Sequence, residues 1–577
     1  MTPAPKTWWP SWISWKGIAR GLARPSNAET LVPWRKLISE EKNLWQDAVR
    51  RVRSGPAVLI ANHLPGFTSG ALVDSLLAVA LTLRGARAEF LICDEVLPAC
   101  LHTKFRKNAP DTFFDGRFRQ AVCGSCVSNR ALFTELGLPM HYYSGLITPA
   151  ERARLAAEVS ALSPEQVKGY TKKGRALGEH AHAGCLRYYS RASLAGEPRA
   201  AEVEKKYLEA ALQTDLALDN LLDRQGFDAA VIHHGIYIPQ GVAAQVCRDR
   251  GVRVATWNVA YRKRCLIFSH GDTYHHTLMN EPVDAWKDME YGPAQDEEIR
   301  SYLAGRAKGA NDWIYFHDVP DDSADTLARD SGIDPAKPMV GLLTNVIWDA
   351  QLHYPANAFP DMLTWIFSTV RYFAARPELQ LLIRVHPAEL RGLQPSRQFV
   401  VDEIRREFPV LAPNIFLVGP ESQVNTYAAM GRCNAVIIYG TKTGVELVSM
   451  GVPVIVAGEA WIRNKGLTTD VSSDAEYFAA LDRLPLAPDP GREDKAAQAR
   501  RYAYHFFLRR MIPLKCVAPT GEKGAPFRLA VETLEDLLPG RDEGLDVICD
   551  GILTGAPFVF KAETRTPAPV PKETLTR

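Results

Sequence analysis

Two short stretches of the chain combine residue types that can hold an anion. The first is Leu382-Ile-Arg384-Val-His386-Pro387-Ala-Glu389, an apolar run that ends in His-Pro. Proline has no amide proton and cannot continue a sheet ladder, so His386 is predicted at the carboxyl end of a strand. Side chains alternate across a strand, which puts Arg384 and His386 on one face. A guanidinium and an imidazole at one edge can meet a phosphate or its departing oxygen. The second stretch is Ala435-Val-Ile-Ile-Tyr439-Gly440-Thr441-Lys442-Thr443-Gly444-Val-Glu446, a buried strand leading through a turn into a helix. The first amides of a helix are unpaired and carry partial positive charge. Threonine hydroxyls and a lysine placed there suit a phosphate or carboxylate. The order G-x-x-x-x-G-K-[ST] is missing, so this is not a Walker A loop. Thr443 also suits the plainer task of an N-cap. A third stretch, Leu343-Thr344-Asn345-Val-Ile-Trp348-Asp349, closes another strand. Asn345 and Asp349 can bind substrate hydroxyls there, or serve turn chemistry.

These residues need sheets to hold them, and the chain supplies an α/β rhythm twice. In the first half, strands are predicted at 57–61, 89–93, 229–233 and 253–257, with helices at 70–83, 202–224 and 241–250. Such βαβ units build parallel sheets. Residues 100–200 read as mostly helical, and 282–310 as a polar, helical hinge. The second half gives strands at 339–343, 381–385, 415–418, 435–439 and 453–457, and an aromatic, basic helix at 498–512. Two such sheets define an interdomain cleft at the carboxyl ends of their strands. The predicted division is an arm over 1–26, a first domain over 27–300 with a helical insertion, a second over 301–495, returning helices over 496–560, and a disordered tail over 561–577.

Composition narrows the class. The chain has 577 residues, 46% hydrophobic and 23% charged, with a formal charge of +2. That excludes a disordered or collagen-like chain, and the near balance of charge argues against nucleic acid as a partner. No apolar run approaches the roughly 20 residues of a membrane span. The first residues, Trp8-Trp9-Pro10-Ser11-Trp12, do not read as a secretory signal, so a cytoplasmic chain with ten reduced cysteines is expected. Trp12, Trp15, Ala19 and Leu22 share a helical face flanked by Lys16, Arg20 and Arg24. That face suits a bilayer headgroup region, and equally an arm packed on its own protein.

Residues from about 335 to 480 resemble the capsule polysaccharide biosynthesis family of bacterial glycosyltransferase-like proteins, including Kdo-transferase-like members. The resemblance is carried by Arg384-Val-His386-Pro387-Ala-Glu389, by Thr441-Lys-Thr-Gly444-Val-Glu446 and by Gly451-Val-Pro453-Val-Ile, followed by Gly458-Glu-Ala-Trp461. It implies a GT-B fold, meaning two Rossmann-like domains facing a cleft, with no obligatory metal. It implies a nucleotide-sugar donor, CMP-linked by preference, with UDP- or GDP-sugars still open. It also implies a saccharide or glycolipid acceptor, at the cytoplasmic face of the membrane. On that basis His386, Thr441 and Thr443 are expected to hold the donor, with Arg384, Glu389, Lys442, Gly444, Glu446, Asn345 and Asp349 around them. The alternatives are a nucleotide-sugar 2-epimerase of the same fold and a non-catalytic scaffold of a polysaccharide machine.

Sugar transfer also needs a base for the acceptor hydroxyl. His63, His234 (with His233 beside it) and Asp94 (with Glu95) follow strands of the first half and are the candidates. Two further groups of residues carry chemistry. Glu179, His180 and His182 with Arg187, Tyr188 and Tyr189 can line an acceptor path or begin an ordinary helix. Cys93, Cys100, Cys123 and Cys126 are a formal zinc set, with free buried cysteines the favoured reading.

Overall fold

The computed structural model describes residues 32–307, 312–313, 332–350, 352, 356–520 and 526–565. The Trp-rich arm and the end of the tail lie outside the described residues. Two sheets organise the molecule. The first has strands β1 (Ala57–Ile60), β2 (Arg87–Ile92), β3 (Met140–Tyr142), β4 (Ala229–His233), β5 (Arg253–Val259) and β6 (Cys265–His270). The second has β7 (Met339–Leu343), β8 (Gln380–Arg384), β9 (Ile415–Val418), β10 (Ala435–Ile438), β11 (Val454–Val456) and β12 (Thr469–Asp470). A last long-range strand, β13 (Met511–Pro513), returns to the first sheet. The spatial orders are β13-β6-β5-β4-β1-β2-β3 and β12-β11-β10-β7-β8-β9. The second sheet is wholly parallel, and β1 to β5 are parallel in the first. This is the GT-B-like pair of Rossmann-like lobes.

Strands buried on both faces read as continuous apolar runs. Val58, Leu59 and Ile60 of β1 are fully buried, as are Val436, Ile437 and Ile438 of β10. The helix Thr68–Leu83 is apolar almost all round, because nearly every side chain is covered. The helix Glu543–Thr554 lies against it and against β13.

Three expectations change. Residues 498–512 are not one helix: a helix spans Arg492–Tyr504, a π-turn spans His505–Arg509, and the chain then becomes β13, antiparallel to β6. The strand β5 runs on to Val259 and folds back through a hairpin into β6, which the sequence reading lacked. The tail begins with an ordered 3-10 turn, Ala562–Thr564. The expected hinge contains the helix Pro293–Ala307, which leads from the first lobe to the second. Arg500 Nε of the returning helix meets Asp296 Oδ1 of this one at 2.8 Å. The chain thus crosses between lobes twice, through two helices bound to each other.

Candidate functional site

The carboxyl edges of the two sheets meet. Tyr237, four residues beyond β4, donates its hydroxyl to Asp349 Oδ1 at 2.5 Å and receives the Ala350 amide at 2.6 Å. Arg187, from the helix Leu177–Tyr189, lies over the rings of Tyr237 and Trp348 and donates to Gln394 at 2.9 Å. Lys442, at the end of β10, lies 4.9 Å from the centre of the Tyr261 ring in the β5–β6 hairpin. His275 stacks obliquely on Trp461, with ring centres 5.5 Å apart. The line of these contacts marks an interlobe cleft.

On the second lobe, β7 lies between β8 and β10. His386 and the Thr-Lys-Thr turn therefore flank Asn345 from either side, one strand spacing of about 4.8 Å each way. The Thr344 hydroxyl accepts the His386 amide at 3.0 Å, which fixes the His-Pro turn to β7. His386 Nδ1 accepts the Ala388 amide at 3.1 Å, so its proton resides on Nε2. Burial, with Lys442 and Arg384 nearby, pushes the His386 imidazole down to about 4. It is therefore neutral at pH 7 and meets an anion as an N–H donor. Asn345 Oδ1 is buried without a partner, and its Nδ2 lies against Gly440, where a Cβ would come within 3.7 Å. The Thr441 hydroxyl accepts the Thr443 amide at 3.3 Å. The helix that follows spans only Thr443–Ser449, so any anion binding here rests on side chains more than on a helix dipole.

Three residues of the expected donor set are committed elsewhere. The Arg384 guanidinium is buried and donates to the carbonyls of Val385, Gly419 and Ser422, bracing the loop after β9. Glu389 turns inward to the Val400 amide at 3.2 Å, at the start of the helix Val400–Glu407, and burial pushes its carboxyl up to about 8. Glu446 is sealed between Arg306, the Tyr427 hydroxyl at 2.6 Å, and Lys442 Nζ at 3.7 Å. Gly444 is packed against Ile438 and Ile462, where a Cβ would meet them at 2.6 and 3.0 Å. Lys442 is thus the cation of the turn that faces the cleft. Burial and Arg306 lower its ammonium to about 8, with Glu446 opposing.

On the first lobe the base candidates separate. His63 is 1% exposed and bonded through Nδ1 to the Tyr143 hydroxyl at 2.8 Å, so it is sealed beneath the strand end. Asp94 accepts the Ser144 amide at 3.1 Å on the β2–β3 side, two strands away from β4. His234 is half-buried in the cleft, with ring centres 5.8 Å from Tyr237 and 6.4 Å from His275. Its Nδ1 is buried without a partner. Burial, reinforced by His233, His275 and Arg187, holds it well below the usual histidine range. An imidazole held this low is a weak base in the free protein, and it takes a proton where a bound negative charge raises it.

Among the helical candidates, Arg187 reaches the cleft, and the buried His180 ring packs beside the segment after β4, where a Cβ on Gly241 would meet it at 2.6 Å. His182 pairs with Glu204 at 2.5 Å, and the Tyr188 and Tyr189 hydroxyls donate at 2.6 Å to the Asn108 and Pro198 carbonyls. Tyr237, Tyr261 and His275 escaped the sequence reading, and Trp461 entered it only within the Gly458-Glu-Ala-Trp461 motif. The run Thr273-Tyr274-His275-His276 at a helix start was the available signal for one of them. Among the described residues, no three of His, Cys, Asp and Glu gather as a metal site, the cysteines 93, 100, 123 and 126 included.

Residues 336–487, the span that contains β7 to β12, match the family described as "Capsule polysaccharide biosynthesis protein". No curated protein matches the chain in sequence. Solved structures resemble it at low superposition. One is the beta Kdo 2,4 transferase KpsC of Thermosulfurimonas dismutans, at 13% identity over 54% of this chain and 88% of that one, TM-score 0.31. Another is the UDP-GlcNAc 2-epimerase of Neisseria meningitidis, at 10% identity over 77% and 95%, TM-score 0.23. A third is the spinosyn rhamnosyltransferase SpnG, at 14% identity over 78% and 95%, TM-score 0.24. No residue role is taken from any of them.

Proposed function

We propose that this chain, whose residues 336–487 belong to the capsule polysaccharide biosynthesis family, is a glycosyltransferase. It moves a sugar from a nucleotide-sugar donor, CMP-linked by preference, to a saccharide or glycolipid acceptor at the cytoplasmic face of the membrane. The observation that carries this reading is the convergence of His386, Asn345, Thr441 and Lys442 on one sheet edge, opposite His234 on the other lobe.

Transfer forms a bond between the acceptor oxygen and the anomeric carbon while the bond from that carbon to the donor phosphate breaks. Negative charge grows on the departing phosphate. Lys442 and the His386 Nε2–H supply donors for it without rearranging, which is where preorganised groups have most effect, while the Thr441 hydroxyl, which donates to Thr443 Oγ1 at 3.2 Å, joins them by turning. The acceptor proton passes to His234, the candidate base that borders the cleft. Arg187 and the Tyr237–Asp349 bridge form the wall beside it and suit sugar hydroxyls. No divalent metal is needed in this scheme, so turnover is expected to persist in EDTA.

Thermal-shift titration with CMP, UDP, GDP and CDP tests the donor assignment. A nucleotide at about 100 times its dissociation constant adds about 2.7 kcal/mol. The His386→Ala chain should lose that response and keep its melting temperature. A flat response of the wild-type chain to all four nucleotides removes the donor site. Conversion of the nucleotide sugar without any acceptor would instead identify an epimerase.

A further inference from the structure

Away from the cleft, the far side of the β5–β6 hairpin forms a pocket of about 180 Å³. Five cationic side chains line it: Arg262, Lys263 and Arg264 of the hairpin turn, Lys515 just beyond β13, and Arg565. Lys263, Arg264, Lys515 and Arg565 are exposed. The one acidic residue in the lining is Asp542. Its carboxylate is buried and already spent on the amides of Lys515 at 2.7 Å, Gly544 at 3.0 Å and Leu545 at 3.3 Å. Arg565 pairs with Glu543 at the rim, and Lys515 Nζ gives one of its three protons to the Arg541 carbonyl at 2.8 Å. Among the described residues, the side chains of Arg262, Lys263 and Arg264 have no carboxylate partner.

Like charges gathered in one pocket repel, and among the described residues only Arg565, through Glu543, has a carboxylate to itself. The backbone enforces the crowding. Arg264 sits at φ 62°, a left-handed turn conformation that non-glycine residues adopt uncommonly, and its carbonyl accepts the Leu514 amide at 2.9 Å. That bond ties the hairpin turn to β13 and brings Lys515 beside it. A bound anion would relieve the repulsion. Guanidinium groups match the paired oxygens of a phosphate, and lysine adds point charge. We propose that this pocket is a second anion site, separate from the interlobe cleft, that takes a phosphate-bearing group. The group is either a soluble phosphoester or the headgroup of an anionic lipid.

The full chain and its Lys263→Glu/Arg264→Glu variant test this with two probes. One is inorganic pyrophosphate, followed by calorimetric titration with the donor nucleotide already saturating. The other is cosedimentation with vesicles of phosphatidylglycerol and phosphatidylcholine, set against phosphatidylcholine alone. The variant should bind at least one probe at least tenfold more weakly, while its nucleotide thermal shift stays that of the wild type. A loss confined to the vesicles names the lipid headgroup as source, and a loss with pyrophosphate names the soluble one. Equal binding of wild type and variant to both probes, or no binding by either, overturns the proposal. Lys263→Gln/Arg264→Gln, which keeps polar side chains and adds no negative charge, should show the same direction with a smaller loss.

Discussion

His386 and His234 lie on opposite lobes and are predicted to fail differently. His386→Ala removes an N–H from the departing phosphate, and kcat/KM should fall at least about a hundredfold. Its ring is half-buried, and in the fold its Nδ1 receives the Ala388 amide, so urea unfolding should move by no more than about 1 kcal/mol. His234→Ala removes the base, with an expected drop of about 10² to 10⁴ in kcat and little change in nucleotide affinity. Measuring kcat separately from the donor KM distinguishes the two. Legibility at this scale followed the distance to each residue's partner. His386 and Thr441 sit at strand ends that local sequence defines. Arg384, Glu389 and Glu446 looked equally chemical, yet their partners are Gly419 and Ser422, Val400, and Arg306, none of which their own motifs disclose.

Elements that position the cleft are held by buried polar clusters and close backbone contacts. Arg306 bridges Glu446 and Asp312, and the Tyr302 hydroxyl completes Asp312 at 3.0 Å. Glu446→Ala strands part of that charge and is expected to destabilise by about 3 kcal/mol, read by chemical denaturation. It should also free Lys442 from its 3.7 Å neighbour and change the pH profile of donor binding. In the helix Glu543–Thr554, Gly544→Ala pits two effects against each other. Helix propensity favours alanine by about 1 kcal/mol. A Cβ at this position would lie 1.8 Å from the Pro513 carbonyl oxygen, so β13 or the helix must shift. Overpacking wins, and a net loss of about 2 kcal/mol is expected in the melting curve. Strand β7 could be read to the residue, because burial on both faces leaves an uninterrupted apolar signature. The three residues of β13 could not, since pairing with β6, more than 240 positions earlier, decides their conformation.

For the molecule as a whole, neutral imidazoles set the response to acid. Burial lowers His63 to about 3, His102, His233, His275 and His386 to about 4, and His234 well below its usual range. Below the unfolded value near 6.5, the unfolded chain takes up protons that the folded one refuses. Each such group therefore removes on the order of 1 kcal/mol of stability per pH unit as pH falls toward its folded value. Two buried carboxyls act in the opposite sense: burial raises Asp74 to about 7 and Glu389 to about 8, so their contribution grows on acidification. Burial also lowers His270 and His505, while His276 is raised, against burial, by Asp272; eight groups against three leave a net loss, and the unfolding midpoint should drop steeply between pH 6.5 and 4.5. A level profile there would contradict the buried, uncharged state of these rings. The double crossing of the chain has a mechanical consequence as well. Two spans clamped side by side at Arg500 and Asp296 act like a pair of door hinges on one post. Once the cleft ties at Tyr237–Asp349 and Arg187–Gln394 open, the two spans should confine the lobes to a swing about a single line and resist twist. Spectroscopic distances between labels on the two lobes should accordingly change along one coordinate as substrate enters, and severing the Arg500–Asp296 tie should add a second.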